Sequence, residues 1–229
     1  MEVAGIEIEL VQKDIKNLHL AVYPPDGRVR LAAPHDVNQK TLELYVISKI
    51  HWIKKQQRRF LKMDRQSPRQ YVDRESHFFL GKRYLLRVKP LDAIHLHPQV
   101  VCKTKTYLDL FIKNDSSVDH KAAVLKEWYR DQLKAVLEEL VPKWERILGV
   151  KANLVKVHTM RTKWGSCNTE NANILINIEL AKKSIESIEY VVAHELIHLI
   201  ERNHNDNFKA HLDKFLPNWK KIREELNMN

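Results

Sequence analysis

Hydrophobic and polar residues alternate along the first part of the chain. Ile6, Ile8 and Leu10 are separated by acidic residues, residues 17–22 form a second apolar run, and Arg28-Val29-Arg30-Leu31 alternates again. Pro24-Pro25-Asp26-Gly27 stands between the last two as a turn signal, so residues 5–33 are predicted to be β structure. The period then lengthens. After Pro34, Asp36 or Asn38 can cap a helix reaching about Met63, with Leu42, Leu44, Val46, Ile47, Ile50, Trp52 and Ile53 as its apolar positions. Residues 64–76 are polar and read as loop. Residues 77–80, a Gly81-Lys82 turn and residues 83–88 predict a hairpin, and residues 99–113 two further strands. Leu125, Trp128, Leu133, Val136, Leu137 and Leu140 recur at helical spacing within a long helix over 117–148 that ends at Gly149 and contains Pro142, a possible kink.

Beyond it, residues 154–160 and 173–178 read as strands. Residues 185–200 (IESIEYVVAHELIHLI) read as a buried helix with Ser184 as N-cap and Glu186 in its first turn. A helix over 206–215 follows, and Pro217 separates it from a last short one. The pattern shows no internal repeat and no low-complexity tract. Long helix, strand, strand, buried helix, helix is the order of a small sheet packed on helices with one strand edging a cleft. The expectation is an α+β protein with a β-rich N-terminal lobe over residues 1–115 and a second domain over 116–229.

The buried helix carries His194-Glu195-Leu196-Ile197-His198, with His204 downstream, an H-E-x-x-H-x₅-H pattern. One helical turn puts His194 and His198 on one face, where two imidazoles can share a metal ion. Glu195 projects from the same turn and can act as general base toward a metal-activated water. This is the arrangement of zincin metallohydrolases, and zinc is the expected ion.

A catalytic zinc takes three protein ligands. Glu201 lies near the face of His198, yet is about 10 Å along a straight helix from His194. His204 can turn back if the helix stops near Asn203, and the Asn-rich run Arg202-Asn203-His204-Asn205-Asp206-Asn207 favours a stop, because Asn tolerates the left-handed conformation. His204 is therefore the expected third ligand, with Glu201 as the alternative. Metzincins share this histidine spacing but place Gly midway between the last two ligands, where this chain has Glu201. The only methionine after the motif is Met228, so a metzincin Met-turn has no counterpart.

Two cysteines, Cys102 and Cys167, make neither a disulfide framework nor a Cys₄ zinc site. No basic segment followed by an apolar run opens the chain and no apolar stretch spans a bilayer, so a cytoplasmic protein without membrane association is expected. The net charge of +10 is unevenly spread. Between residues 54 and 89 stand Lys54, Lys55, Arg58, Arg59, Lys62, Arg65, Arg69, Arg74, Lys82, Arg83, Arg87 and Lys89, interleaved with Phe60, Tyr71, Phe78, Phe79 and Tyr84. Such a stretch can serve nucleic acid or polyphosphate, although a solvated helix face and a polar strand edge account for it first.

Arg161-Thr162-Lys163-Trp164-Gly165-Ser166-Cys167 lies between the two C-terminal strands. Arg161 and Lys163 can bind an anionic group or stabilise a charged intermediate, Trp164 can wall a cleft, and Gly165 permits a tight turn. A hairpin turn pinned by Trp164 explains the segment equally well. Arg161-x-x-Trp164-Gly165-Ser166-Cys167, Val191-Val192-x-His194-Glu195-Leu196-x-His198-Leu199 and Asn203-His204 followed by Phe208 together resemble the YgjP-like metallopeptidase family, which groups with SprT-like and other zincin-fold proteins. The resemblance extends to Asp26-Gly27-Arg28-Val29, Trp52 and Pro217-x-Trp219. Lys209 departs from it, where the family often has Trp.

That resemblance implies a zincin-like domain, His194, His198 and His204 as metal ligands, and Glu195 as catalytic base. The function it implies is zinc-dependent hydrolysis of peptide bonds. An alternative is a metal-dependent pyrophosphohydrolase of nucleoside triphosphates such as UTP, an activity linked to YgjP-like proteins, which the basic balance and Arg161 and Lys163 also suit. A second alternative is a nucleic-acid-binding module associated with DNA.

Overall fold

Val3 pairs with Ile6 across a two-residue hairpin turn, Ala4-Gly5, whose φ angles are both positive (50° and 74°). Right-handed strand twist favours that backbone in a tight hairpin. The same device recurs at Leu80-Gly81 (46° and 77°), between Phe79 and Lys82. The computed structural model describes residues 1–23, 26–62 and 69–228, which fall into two units, Met1–Arg69 and Gln70–Asn229. The Pro24-Pro25 part of the expected turn, the helix end at Met63 and the basic residue Arg65 lie outside the described residues.

In the first unit, β1 (Glu2–Val3), β2 (Ile6–Gln12), β3 (His19–Tyr23) and β4 (Arg28–Ala33) form a sheet of order β1-β2-β4-β3, with β2 and β4 parallel. The alternation puts Ile6, Ile8, Val29 and Leu31 on one buried face. Helix α1 (Gln39–Lys62) covers that face with Leu42, Val46 and Ile53. Asn38 starts it, its side-chain oxygen accepting from the Thr41 amide at 2.8 Å. Leu44, Ile47 and Trp52, expected among the apolar positions, are exposed instead, because the sheet covers only one stripe of the helix.

The second unit opens with β5 (Ser76–Phe79), β6 (Lys82–Lys89), β7 (Gln99–Val101) and β8 (Tyr107–Phe111), in the order β5-β6-β8-β7 with β6 and β8 parallel. Helix α2 (Val118–Leu148) follows, capped by Ser117 and ended by Gly149, and it runs through Pro142. Strand order, strand directions and hairpin turn all repeat the first unit, each sheet being followed by a long helix. An internal repeat is therefore present in topology although the sequence pattern shows none. The side chains diverge while the backbone geometry persists. The expected boundary at 115/116 falls inside this second unit. Leu86, Leu108 and Leu110 of the sheet share a core with Leu125, Tyr129, Leu133 and Leu137 of α2, and the Tyr129 hydroxyl donates to the Phe78 carbonyl at 2.8 Å. Each fully buried leucine contributes about 1.5–3 kcal/mol.

A third sheet, order β10-β11-β9, is made of β9 (Leu154–His158), β10 (Gly165–Asn168) and β11 (Asn173–Asn177). A 3₁₀ turn (Ile178–Lys182) leads from it to α3 (Ile185–Ile197), α4 (Asp206–Phe215) and α5 (Trp219–Met228). Ile174, Ile176, Ile188, Val192 and Leu196 pack in the core shared with α2. The protein is thus α+β, with the H-E-x-x-H helix packed on a small mixed sheet. Among the described residues no helix is long and apolar enough to cross a membrane.

Candidate metal centre

Helix α3 begins where expected, the Ser184 side chain accepting from the Ser187 amide at 3.2 Å, but it ends at Ile197, sooner than the apolar pattern suggests. His198 is its C-cap, and tighter bonds follow, from the Leu199 amide to the Leu196 carbonyl and from the Ile200 amide to the Ile197 carbonyl. The chain reverses over 198–205 with no positive φ, so a left-handed Asn does not make the turn. Asn205 then caps α4, accepting from the Phe208 amide at 3.0 Å. This early stop brings His204 back over the helix it has just left.

His204 Nε2 lies 2.9 Å from His194 Nε2, and one ring nitrogen from each of His194, His198 and His204 falls within 4.8 Å of the others. Phe208, fully buried, lies under all three rings with centroid distances of 4.7–4.9 Å. His198 Nδ1 lies 3.2 Å from the Glu201 carbonyl oxygen, a contact that as a hydrogen bond makes Nδ1 the donor and leaves Nε2 a bare acceptor. Glu201 serves the turn: its carboxylate accepts from the Asn203 amide, and it is not part of the histidine cluster.

Burial first, then the neighbouring His198 and His204 rings and Arg223, hold the His194 pKa down at about 3, so the ring is neutral at neutral pH. Burial likewise lowers His198. His194 Nδ1 is buried with no hydrogen-bond partner among the described residues. Neutral imidazoles with converging nitrogens are the donor set that a borderline-soft divalent ion such as zinc takes. The last turn of α3 adds the negative end of its dipole, which favours a cation. The residues present fit such an ion.

Glu195 is 6% exposed and follows His194 on the helix. Burial pushes its carboxyl up to about 7, against the opposing pull of the Lys163 ammonium. Both residues line a cleft of about 850 Å³ together with the three histidines, Tyr190, Arg202 and Arg223. Arg161, expected beside Lys163, is not among the lining residues. Tyr190, buried one turn before His194 with ring centroids 5.7 Å apart, escaped the sequence reading, although its i−4 spacing from His194 was the available signal. Arg202 and Arg223 join the cleft only through the tertiary fold.

Trp164-Gly165-Ser166-Cys167 proves to be largely strand and not a hairpin turn. Residues 165–168 form β10, the edge strand paired with β11, and they line the cleft. The loop before it is held by Asn177, 4% exposed, whose side-chain amide donates to the carbonyls of Lys163 (2.7 Å) and Met160 (3.1 Å). The Asn177 backbone amide donates to the Trp164 carbonyl at 2.9 Å. Asn177 thereby fixes the backbone that carries Lys163, a role the sequence shows only as a polar residue closing an apolar strand. Burial, then the charge of Glu195, raises the Cys167 thiol to about 11, which removes it as a thiolate nucleophile or ready metal ligand.

Three convergent histidines, two from the end of one helix and one from the chain that folds back after it, beside a buried glutamate of that helix, which packs on a small sheet whose edge strand borders the cleft, define a metallohydrolase of the zincin-like class. Residues 16–229 match the family model described as YgjP-like, metallopeptidase domain, and the chain belongs to that family. It is, at family level, a metal-dependent peptidase. No curated protein matches the sequence. Among solved structures, the metallopeptidase zymogen of Pyrococcus abyssi abylysin is similar at 21% identity and a TM-score of 0.37, over 39% of this chain and 90% of that one. The metallopeptidase zymogen of Methanocaldococcus jannaschii jannalysin is similar at 19% identity and a TM-score of 0.34, over 42% of this chain and 87% of that one.

Proposed function

We propose that this chain is a zinc-dependent peptidase in which His194, His198 and His204 hold the ion and Glu195 is the general base. The observation that carries the reading is the cluster of three ring nitrogens within 4.8 Å of one another beside a buried carboxyl. Held by these three imidazoles, a zinc ion would supply the Lewis acidity that makes water acidic enough to be a nucleophile near neutral pH. Glu195 takes up a proton at its carboxylate and returns it to the leaving amine. A carboxyl raised to about 7 can do both near neutral pH. Lys163, reaching the same cleft on a loop pinned by Asn177, stabilises negative charge that develops on the substrate carbonyl oxygen. Trp164 and Tyr190 wall the cleft.

All these residues belong to the unit Gln70–Asn229, to which we assign catalysis. The free thiols of Cys102 and Cys167 support a cytoplasmic setting. Among the described residues no structural feature favours the nucleotide or DNA readings. Within the basic stretch, Arg87 and Lys89 are engaged with Asp109, while Lys54, Lys55 and Arg58 are exposed on α1 in the other unit. The test is a screen of zinc-reconstituted protein against peptide and nucleotide panels in parallel, with Glu195→Gln as control. Peptide cleavage lost in the variant supports the proposal. Pyrophosphate release from nucleotides, lost in the variant and unaccompanied by peptide cleavage, overturns it.

A further inference from the structure

Gly5, Gly27, Gly81 and Gly149 all adopt positive φ, the conformation that calls for glycine, whereas Gly165 does not. Its backbone is one that any residue can take, and inside a strand glycine is otherwise a poor choice. The reason for it is space. A Cβ built on Gly165 would lie 2.6 Å from Glu195 Oε1, 2.7 Å from Cγ and 2.9 Å from Cδ, closer than real Cβ atoms come to any neighbour. Ala193, Leu196 and Ile197, fully buried on either side of it, hold the α3 backbone in place, so Glu195 could make room for a Cβ only by turning its side chain away from this position. Cys167, two residues along β10 and so on the same face, also senses the Glu195 charge, which places that face of the strand against the carboxyl.

We propose that Gly165 is a positioning residue for catalysis: the Cβ it lacks is the space in which the Glu195 carboxyl is held beside the histidine cluster. This rests on the reading of Glu195 as general base. Gly165 has no side chain to offer substrate or ion. It acts by letting the edge strand approach the helix so closely that the carboxyl has one place to lie, which turns a flexible side chain into a preorganised base.

A double-mutant cycle in stability tests the contact apart from any catalysis. Gly165→Ala lowers the melting temperature of the wild-type chain, since Cβ and carboxyl compete for one volume. In a Glu195→Ala background, where Cγ and the carboxyl are gone, the same substitution is neutral or raises the melting temperature. A folded double variant beside an unfolded Gly165→Ala shows the same coupling. Equal effects in the two backgrounds, no effect in either, or failure of both to fold overturns the proposal.

Kinetics then test the role. On a peptide that zinc-reconstituted wild type cleaves, Gly165→Ala keeps KM within about threefold and lowers kcat by about 10²–10⁴-fold, as loss of a general base does. Zinc affinity, read by chelator competition, stays unchanged, and Gly165→Ala adds no further loss to Glu195→Gln. A folded, zinc-loaded Gly165→Ala with near-wild-type kcat overturns the proposal. If wild type cleaves no peptide, the peptidase reading falls, while the stability cycle still decides whether Gly165 sets the place of the carboxyl.

Discussion

His204 Nε2 stands 2.9 Å from His194 Nε2, ten positions apart in sequence, because α3 stops at Ile197 and the chain folds back. Glu201, the alternative third ligand, has its carbonyl 3.2 Å from His198 Nδ1, and its carboxylate accepts from the Asn203 amide. His204→Ala is therefore expected to weaken zinc binding by more than about 100-fold, beyond the range typical of outer partners. Glu201→Ala is expected to cost about tenfold or less. A competitive chelator titration of both variants measures this, and equal or reversed losses would pass the ligand role to Glu201.

Glu195→Gln preserves side-chain volume and removes the proton acceptor. Stoichiometric zinc binding is expected to persist while kcat on peptides falls by about 10²–10⁴-fold. Zinc content and turnover measured on the same preparation decide it. A metal-loaded variant with near-full turnover would show that the base is elsewhere.

Lys163 and Arg161 are two residues apart, yet only Lys163 lines the cleft. Lys163→Met is expected to lower kcat/KM on peptides by about 10–10³-fold through lost stabilisation of developing charge. Arg161→Met should stay within roughly threefold of wild type. Steady-state kinetics on the pair separate them, and a larger loss from Arg161→Met would refute the assignment.

Away from the cleft, Asp109 accepts from Arg87 Nε at 2.6 Å and from Lys89 Nζ at 2.8 Å. Burial alone would raise its carboxyl, but these two hydrogen bonds and charges outweigh it and hold the pKa below that of ordinary aspartate. A carboxyl depressed in the native state contributes stability above its unfolded value, about 4, and loses it as pH falls through the depressed native value. Wild type is thus expected to exceed Asp109→Asn in urea midpoint at pH 6, and the gap should close progressively below about pH 4. A gap that is constant with pH would mean the ionised pair contributes nothing.

Local regularities of the chain carried much of this structure. The 3.6-residue spacing of Leu125, Leu133 and Leu137 and the caps Ser117 and Gly149 mark α2. The i, i+4 spacing puts His194 and His198 on one face whatever surrounds them, and the two-residue periods of β2 and β4 mark their buried faces. Information of this kind is contained within a few neighbouring residues.

The tertiary structure decided what depends on partners distant in sequence. Leu44, Ile47 and Trp52 fit a helical core stripe, yet only contact with the sheet could select Leu42, Val46 and Ile53 for burial. Residues 165–168 look like a turn until β11 supplies a strand to pair with, and Asn177 is one polar residue among many until the loop carbonyls of Met160 and Lys163 reach it. The shared topology of the two four-stranded sheets lies in backbone pairing and not in side-chain identity. Gly165 is the sharpest case. Its sequence context suggests a tight turn, whereas its backbone is ordinary and its need for glycine comes from Glu195, thirty residues away. Spacing along a helix is set by bonds the chain always has, while an approach of strand to helix that would leave an added Cβ only 2.6 Å from a carboxyl oxygen is set by how whole layers pack, and no short stretch of sequence encodes it.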